Sequence, residues 1–287
     1  NSRSKDNLQG IVASCSAILA ASLNSADPKQ LTKKDGALLA LGSLRKHLAK
    51  KPEYAASLEG MLRMHVLPML ESPVGFMRMR ASWVYSQFAG TVFRVKGGAA
   101  NANADPSMFG AIEHMGKVFP LVMGMLQDRD LPVRVQAAVT IKELVEQECM
   151  PPSMLEHLPK LMELLFSLLQ EVGADEIVST VDTLIEHYGE QMVPYACQVV
   201  SALAASFMRL VDESDEDDED DATLAALGVM QALSTMMEAV AGKAEIYRTM
   251  EAPLMPLFMR CCQQDAEDYF EEMLELLSYI TYYATDI

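Results

Sequence analysis

The chain has 287 residues, of which 50% are hydrophobic and 22% are charged, so it has enough apolar surface to fold and is not a disordered polar chain. Its formal net charge of −17 at pH 7 disfavours nucleic acid as a ligand and favours basic proteins as partners. The five cysteines lie in apolar stretches, a pattern typical of reduced, buried thiols in an intracellular protein rather than of a disulfide framework.

Targeting and membrane signals are not expected. No apolar run approaches the roughly 18 uncharged residues that a membrane-spanning helix needs. The first ten residues, NSRSKDNLQG, lack the basic and then apolar layout of a secretory signal. We therefore expect a soluble protein without membrane insertion, cut from a longer chain because it begins and ends abruptly.

Apolar residues recur at helical spacing along almost the whole chain, which predicts an all-α fold. The predicted helices come in about six antiparallel pairs, whose second helices begin near positions 33, 75, 131, 174, 222 and 265. This spacing of about 43 residues is typical of HEAT-repeat α-solenoids, in which stacked pairs bury the faces that one pair leaves open. We predict a single array over 1–287, with repeats at about 4–50, 57–95, 108–148, 154–189, 192–241 and 245–286.

Two inserts lengthen the regular spacing. Residues 95–107, VKGGAANANADPS, are rich in Gly, Ala and Asn, a composition that favours a loop. Residues 212–221, DESDEDDEDD, contain nine carboxylates in ten positions. Neighbouring carboxylates repel one another by about 1 kcal/mol per pair even in water, which predicts an extended, solvated loop.

The clearest repeat is LVMGMLQDRDLPVRVQAAVTIKELV, residues 121–145. Asp128 is followed five and six residues later by Val133 and Arg134, as in the HEAT motif. That resemblance implies that Asp128 and Arg134 join a ladder of polar contacts between neighbouring repeats. The preceding repeat has Arg78 at the matching position, but Ser72 replaces the Asp.

Several segments in this order resemble the importin-β superfamily of nuclear transport receptors, in the branch of importins seven and eight. They are KKDGALLALGSL (33–44), MLRMHVLPMLESPVGFMRMRASWVYSQF (61–88), LQDRDLPVRVQAAVTIKELV (126–145) and the acidic run followed by ATLAALGVMQALSTMMEAV (222–240). The resemblance implies a central fragment of a receptor that shuttles between cytoplasm and nucleus through the pore. It also implies as partners basic cargo, the GTPase Ran and the Phe-Gly repeats of nucleoporins.

The acidic run is the candidate partner-binding site. In relatives of this family, acidic loops touch basic cargo or Ran, whereas an arbitrary acidic run is a solubilising linker. We predict that the carboxylates of the run bind Lys and Arg clusters on cargo such as ribosomal proteins or histones, and phosphorylation of Ser214 would deepen the negative field. The residues are Asp212, Glu213, Asp215, Glu216, Asp217, Asp218, Glu219, Asp220 and Asp221.

Two further features have ordinary explanations. The acids of QQDAEDYFEEMLELL, residues 263–277, suit a helix N-terminus or a solvated face as well as cargo contact. Trp83 lies in an apolar helix and is expected in the core rather than on a peptide-binding platform.

Neither an enzyme, a metal site nor a cofactor is expected. The five histidines stand singly, and the sequence has no zinc-ligand spacing and no phosphate-binding Gly loop. The protein is expected to be a monomer that binds other proteins. Two other functions fit the same pattern: a HEAT scaffold subunit of another complex and an acidic histone chaperone.

Overall fold

The computed structural model describes residues 2–23, 25–92, 106–151, 153–172, 175–213 and 219–284. These residues are almost entirely helical, and none of them forms a β-strand. The predicted all-α fold is therefore confirmed. Most of the predicted 95–107 insert and the middle of the acidic run, 214–218, lie outside the described residues.

The described ranges contain thirteen α-helices, and twelve of them follow one another in the chain as six pairs: α1/α2, α4/α5, α6/α7, α8/α9, α10/α11 and α12/α13. They are α1 (Ser2–Ala21), α2 (Pro28–Ser43), α3 (Arg45–Ala49), α4 (Pro52–Met61), α5 (Gly75–Val92), α6 (Pro106–Met125), α7 (Leu131–Glu146), α8 (Met154–Val172), α9 (Asp175–Met192), α10 (Ala196–Glu213), α11 (Glu219–Ala239), α12 (Ala244–Cys261) and α13 (Phe270–Tyr283).

Local start signals explain where several second helices begin. The Asp27 side chain accepts a hydrogen bond of 3.2 Å from the backbone N–H of Lys29, and Pro28 occupies the first turn, so α2 begins five residues before the predicted position 33. Helices α5 and α7 begin at the predicted positions 75 and 131. A 3₁₀ segment, Gln264–Tyr269, delays α13 until residue 270.

The first helix of the second pair is irregular. After α4 the chain forms a π-helical turn, Leu62–Val66, and then a 3₁₀ segment, Leu67–Glu71. Pro68 stands in the first turn of the 3₁₀ segment, and its missing N–H interrupts the α-helical hydrogen-bond ladder. The π-helical turn therefore presents the side chains of residues 62–66 in a register that a continuous α-helix would not give.

The chain divides into two compact units, 1–154 and 155–287, here called unit 1 and unit 2. In unit 1, α5 packs against α2 and α7, and the core contains Leu38, Phe88 and Ile141, each fully buried. In unit 2, α11 packs against α9, α10 and α13, while α10 also packs against α12. The second helices of successive pairs thus lie side by side within each unit. The single array over 1–287 stays a prediction.

One helical stretch, 175–212, is long and apolar enough by length and composition to cross a membrane, so the sequence-based expectation about apolar runs was wrong. The stretch consists of α9 and α10 joined by the 3₁₀ turn Val193–Tyr195. Val199, Leu203 and Phe207 of α10 are fully buried in unit 2. Packing in the core accounts for such apolar residues in α10.

The cysteines and Trp83 only partly follow expectation. Cys15, Cys149 and Cys261 are buried, whereas Cys197 is half-buried and Cys262 is exposed, so the expectation of five buried thiols was wrong for the last two. The Trp83 ring is half-buried, because its α5 position places it between the core and the surface.

Candidate partner-binding surface

A polar network joins the second and third helix pairs in unit 1. The Arg78 guanidinium donates hydrogen bonds of 2.6 and 2.7 Å to the two carboxylate oxygens of Asp128, and one of 3.2 Å to Asp130. Its third nitrogen donates to the backbone carbonyl of Ser72 at 2.7 Å. The side chains of Arg78 and Asp128 are 11% and 10% exposed, so this ion pair is largely shielded from solvent.

The same local geometry occurs in both pairs. Arg134 donates to the backbone carbonyl of Asp128 at 2.7 Å, as Arg78 does to Ser72 six residues before it. The side-chain oxygens of Asp128 and Ser72 each accept a backbone N–H two residues further on, at 2.9 and 3.2 Å. Ser72 therefore performs the turn-closing part of the Asp role, although it lacks the carboxylate that an arginine could bind.

The environment of Asp128 favours its charged form. The hydrogen bond from Arg78 lowers the pKa of Asp128, and it outweighs the opposing effect of burial. Val133 is the third residue of α7, and because it is only 1% exposed it anchors the start of that helix in the core. This arrangement fixes the spacing of the two pairs and carries no chemistry of its own.

The acidic run is shorter as a loop than predicted. Helix α10 continues to Glu213, and α11 already begins at Glu219, so the expected ten-residue loop was wrong at both ends. Asp215, Glu216, Asp217, Asp218 and the candidate phosphorylation site Ser214 lie outside the described residues. For Glu213, Glu219 and Asp220 only the helical backbone is described.

Asp212 has an intramolecular partner. Its carboxylate accepts a hydrogen bond of 2.9 Å from Arg260, which belongs to the last turn of α12 and has a side chain 11% exposed. Asp212 is itself half-exposed. It therefore ties α10 to α12 and is less available to an external cation than the sequence suggested.

Asp221, by contrast, lies near other acids. It is exposed in the first turn of α11, close to the first turn of α9. Partial burial, followed by the charges of Glu176 and Asp221, raises the pKa of Asp175. Negative charge from two successive pairs thus accumulates at the start of the second helices.

The three second helices of unit 2 contain no lysine or arginine. Helix α9 carries five acids, α11 four and α13 three. In unit 1 the second helices α2, α5 and α7 all contain Lys or Arg. The acidic surface formed by α9, α11 and α13 is named here the acidic face.

A groove between α9 and α11 runs along this face. Its wider part has a volume of about 720 Å³ and is lined by Glu186, Glu190 and Glu238. Its narrower part has a volume of about 190 Å³ and includes Asp175 and Asp182. Gln231 lines both parts, so they adjoin along α11. The groove offers carboxylates at intervals over several turns of helix.

Helix α13 extends the acidic face. Its first turn contains Glu271 and Glu272, and Tyr279 donates a hydrogen bond of 2.6 Å to Glu238 of α11. The hydrogen bond to Glu238 is the main reason that the pKa of Tyr279 rises to about 12. Helix α13, which carries part of the second acidic cluster of the sequence, therefore packs beside α11.

Sequence reasoning missed the acids of α9. Asp175, Asp182 and Glu186 follow one another at intervals of seven and four residues, which places them on one side of a helix. Glu190 comes after the non-helical residue Tyr188 and lines the same groove as Glu186. A helical projection would have shown this stripe. Their juxtaposition with α11 could not have been read from local spacing.

Among the residues that the structure describes, no three His, Cys, Asp or Glu side chains are grouped so that they could hold a metal ion. His114 is fully buried and lies 2.8 Å from the Tyr85 hydroxyl, inside the core of unit 1. Its surroundings are those of a packed interior rather than of an open cleft.

Several relatives of this chain are importins or importin homologues by name. It is 35% identical to the Importin beta-like SAD2 homolog of Arabidopsis thaliana, over 92% of this chain and 24% of that protein. It is 28% identical to the Probable importin-7 homolog of Dictyostelium discoideum, over 92% of this chain and 23% of that protein. It is 25% identical to Importin-8 of Homo sapiens, over 89% of this chain and 23% of that protein. The chain spans about a quarter of the length of these relatives.

Solved structures with the same fold are repeat proteins. An engineered protein matches with a TM-score of 0.57 at 14% identity, covering 92% of this chain and 95% of that one. A designed armadillo repeat protein matches with a TM-score of 0.57 at 16% identity, and the match covers 91% of this chain and 98% of that one. No protein-family model matches the chain. The helical repeat fold and the resemblance to the importin-β superfamily, over about nine-tenths of the chain, are confirmed.

Proposed function

Because the chain resembles nuclear transport receptors of the importin-β superfamily over 92% of its length, we propose that it is the part of such a receptor that binds basic cargo. The observation that carries this proposal is the acidic face of unit 2, where the second helices contain acids and no Lys or Arg. The receptor would shuttle between cytoplasm and nucleus, as the resemblance implies.

Electrostatics supports a basic partner. Carboxylates on α9, α11 and α13 sum to a negative potential, because no cation on the same helices cancels it. Such a potential steers a partner rich in Lys and Arg toward the surface and raises the association rate. The acidic run ends in the first turn of α11, where Asp221 adds an exposed carboxylate to the face.

Ran and nucleoporins complete the proposed cycle. Ran-GTP would compete with cargo for the acidic face, and Phe-Gly repeats would bind elsewhere on the receptor. A scaffold subunit of another complex would bind neither, and an acidic histone chaperone would bind histones without Ran.

The test compares two charge reversals in the full-length receptor. The variant Glu186→Lys/Glu190→Lys alters the groove, whereas the control Glu156→Lys/Glu163→Lys makes the same charge change on the exposed surface of α8, a first helix. Fluorescence anisotropy measures binding of a labelled peptide of about twenty residues rich in Lys and Arg. We expect about tenfold weaker binding for the groove variant and at most about threefold for the control.

Salt and Ran provide the remaining criteria. Exposed charges are screened beyond about 8 Å at physiological ionic strength, so the affinity of the wild-type receptor should fall steeply between low and physiological salt. Ran-GTP should displace the peptide. Equal losses in both charge variants, or an affinity that does not respond to salt, would contradict the proposed surface, whereas retention of the peptide in the presence of Ran-GTP would point to a scaffold or a chaperone.

A further inference from the structure

A groove of about 290 Å³ in unit 1 lies between α1 and α4, and Leu41 of α2 also lines it. Its walls are mostly apolar and include Val12 and Leu19 of α1, Leu48 of α3, and Leu58 and Met61 of α4. None of its twelve lining residues is acidic. The groove therefore differs in character from the acidic face of unit 2.

A strongly basic segment borders this groove. Residues 45–51, RKHLAKK, carry four Lys or Arg in seven positions, and Lys46 and Lys50 are exposed. The Lys51 ammonium lies 5.4 Å from the centre of the Tyr54 ring, and Tyr54 lines the groove. Lys51 is thus held at the rim of the groove by a cation–π contact, and Lys50 precedes it in the chain.

His65 adds a hydrogen-bonding group to the groove. It belongs to the π-helical turn and lines the groove, and its buried Nδ1 atom has no hydrogen-bond partner among the described residues. Burial, and then the charge of Lys34, lower the pKa of His65, so the ring is neutral at pH 7. Lys34 is itself 5% exposed. Buried polar atoms are normally paired, so this atom is suited to a ligand.

Few acids oppose the positive charge of this region. Residues 45–65 contain five Lys or Arg and two acids, Glu53 and Glu59. Glu59 already forms a salt bridge of 2.8 Å with Arg63. In a chain with a net charge of −17, this apolar groove with a basic rim is an exception.

We propose that the groove is a docking site for an acidic segment of a partner protein, which inserts one large apolar side chain between α1 and α4. Its carboxylates lie over the rim formed by Lys50 and Lys51, and a polar group of the segment pairs with His65. Charge complementarity selects this occupant, because the apolar floor accepts an aliphatic or aromatic side chain and the rim accepts negative charge. A nucleic acid would use the rim and leave the aliphatic floor empty.

The experiment measures binding of labelled peptides to the 287-residue chain. The probe is a peptide of about twelve residues with five Asp or Glu around one central Phe. Two altered peptides replace either the Phe by Ser or the acids by Gln and Asn. We expect the intact probe to bind at least about tenfold more tightly than either altered peptide.

Two variants of the protein test the two halves of the site. Lys50→Glu/Lys51→Glu reverses the rim, with Lys29→Glu/Lys33→Glu on α2 as a matched control. Gly60→Leu fills the groove, because a Cβ at Gly60 meets no atom within 4 Å; Gly10→Leu is its control, since Gly10 is equally open but does not line the groove. Both test variants should weaken binding of the probe about tenfold, and both controls should stay within about twofold. Circular dichroism verifies folding.

Four results would overturn the proposal. Equal binding of the peptide without acids would reduce the site to an apolar groove. If the Lys50/Lys51 variant loses binding while Gly60→Leu keeps full binding, the rim binds polyanions in general. If poly(U) RNA binds tightly and this binding depends on the same lysines, the ligand is nucleic acid instead. Absence of binding of the intact probe up to about 1 mM would also exclude the site.

Discussion

Arg78 of α5 and Asp128 of the turn before α7 form a two-pronged ion pair across 50 residues of sequence, with N to O distances of 2.6 and 2.7 Å. Both side chains are about nine-tenths buried, so bulk water hydrates neither charge well. The pair joins the second and third helix pairs at one end of α5. Removal of either partner leaves a largely buried charge without its main counter-charge, since Arg78 keeps only the longer contact with Asp130.

We therefore expect Arg78→Met or Asp128→Asn to destabilise the chain by about 3 kcal/mol, since breaking a buried pair costs more than the pair contributes. Urea unfolding measures the loss. The double variant should be less destabilised than the sum of the two single variants. Arg129→Met, which removes an arginine that is 76% exposed, is the control and should change stability by less than about 0.5 kcal/mol. Additive single effects would contradict the coupling.

The buried His114 should make the stability depend on pH. Burial, and to a smaller extent the charge of Arg63, lower the pKa of His114 to about 4 from its ordinary value of 6.5. Between these two pH values the unfolded chain binds a proton that the folded chain does not, so stability is fully present above pH 6.5 and falls as the pH drops toward 4. The loss is about 3 kcal/mol.

The measurement is urea unfolding at several pH values between 4 and 7.5. The His114→Gln variant should lack this part of the pH dependence, whereas His47→Gln, at an exposed position, should retain it. Parallel curves for wild type and His114→Gln would show that other groups cause the acid sensitivity.

Gly42 permits the close approach of α2 and α5. A Cβ at this position would overlap the Trp83 ring, above which the Arg80 guanidinium lies at 4.9 Å from the ring centre. Gly42→Ala should therefore destabilise the chain by about 1–3 kcal/mol and shift the fluorescence of Trp83, the one tryptophan of the sequence. Gly36→Ala in the same helix meets no atom within 4 Å and should stabilise by about 0.5–1 kcal/mol. Thermal unfolding distinguishes the two; stabilisation by Gly42→Ala would contradict the contact.

Gly242, in the turn between α11 and α12, has a left-handed conformation with a φ of 77°. Space is not the obstacle there, because a Cβ would meet no atom within 4 Å. Gly242→Ala should still cost about 1 kcal/mol, since an L side chain is strained at this φ. Gly228→Ala, inside α11 and equally open, should instead stabilise unit 2 by a similar amount. Equal effects of the two substitutions in a thermal melt would show that the turn relaxes.

The sequence predicted part of the fold for local reasons. Asp130 and Pro132 lie on either side of Leu131, the first residue of α7. The predicted start at position 131 therefore agrees with the structure. Position 222 was predicted for α11, which begins at Glu219, because carboxylates in the first turn are favourable to a helix and shorten the loop. Charge repulsion alone had suggested the longer loop.

The candidate site was less accessible from the sequence. The acidic run was conspicuous as a block, yet its first member, Asp212, is bound by Arg260, which lies 48 residues away. The acids of α9 are spread over four turns and were missed. Their role in a surface arises because α9 packs beside α11, a relationship between helices that no local spacing encodes.

The sequence by itself determined the all-α character, the paired helices and the excess of negative charge, because helix formation depends on apolar periodicity and on signals a few residues apart. Only the tertiary structure decided which charges remain exposed. It paired Arg78 with Asp128 and Asp212 with Arg260, and it left the acids of α9 and α11 together along one groove. Such pairings depend on the distance between side chains after packing, which sequence separation does not fix.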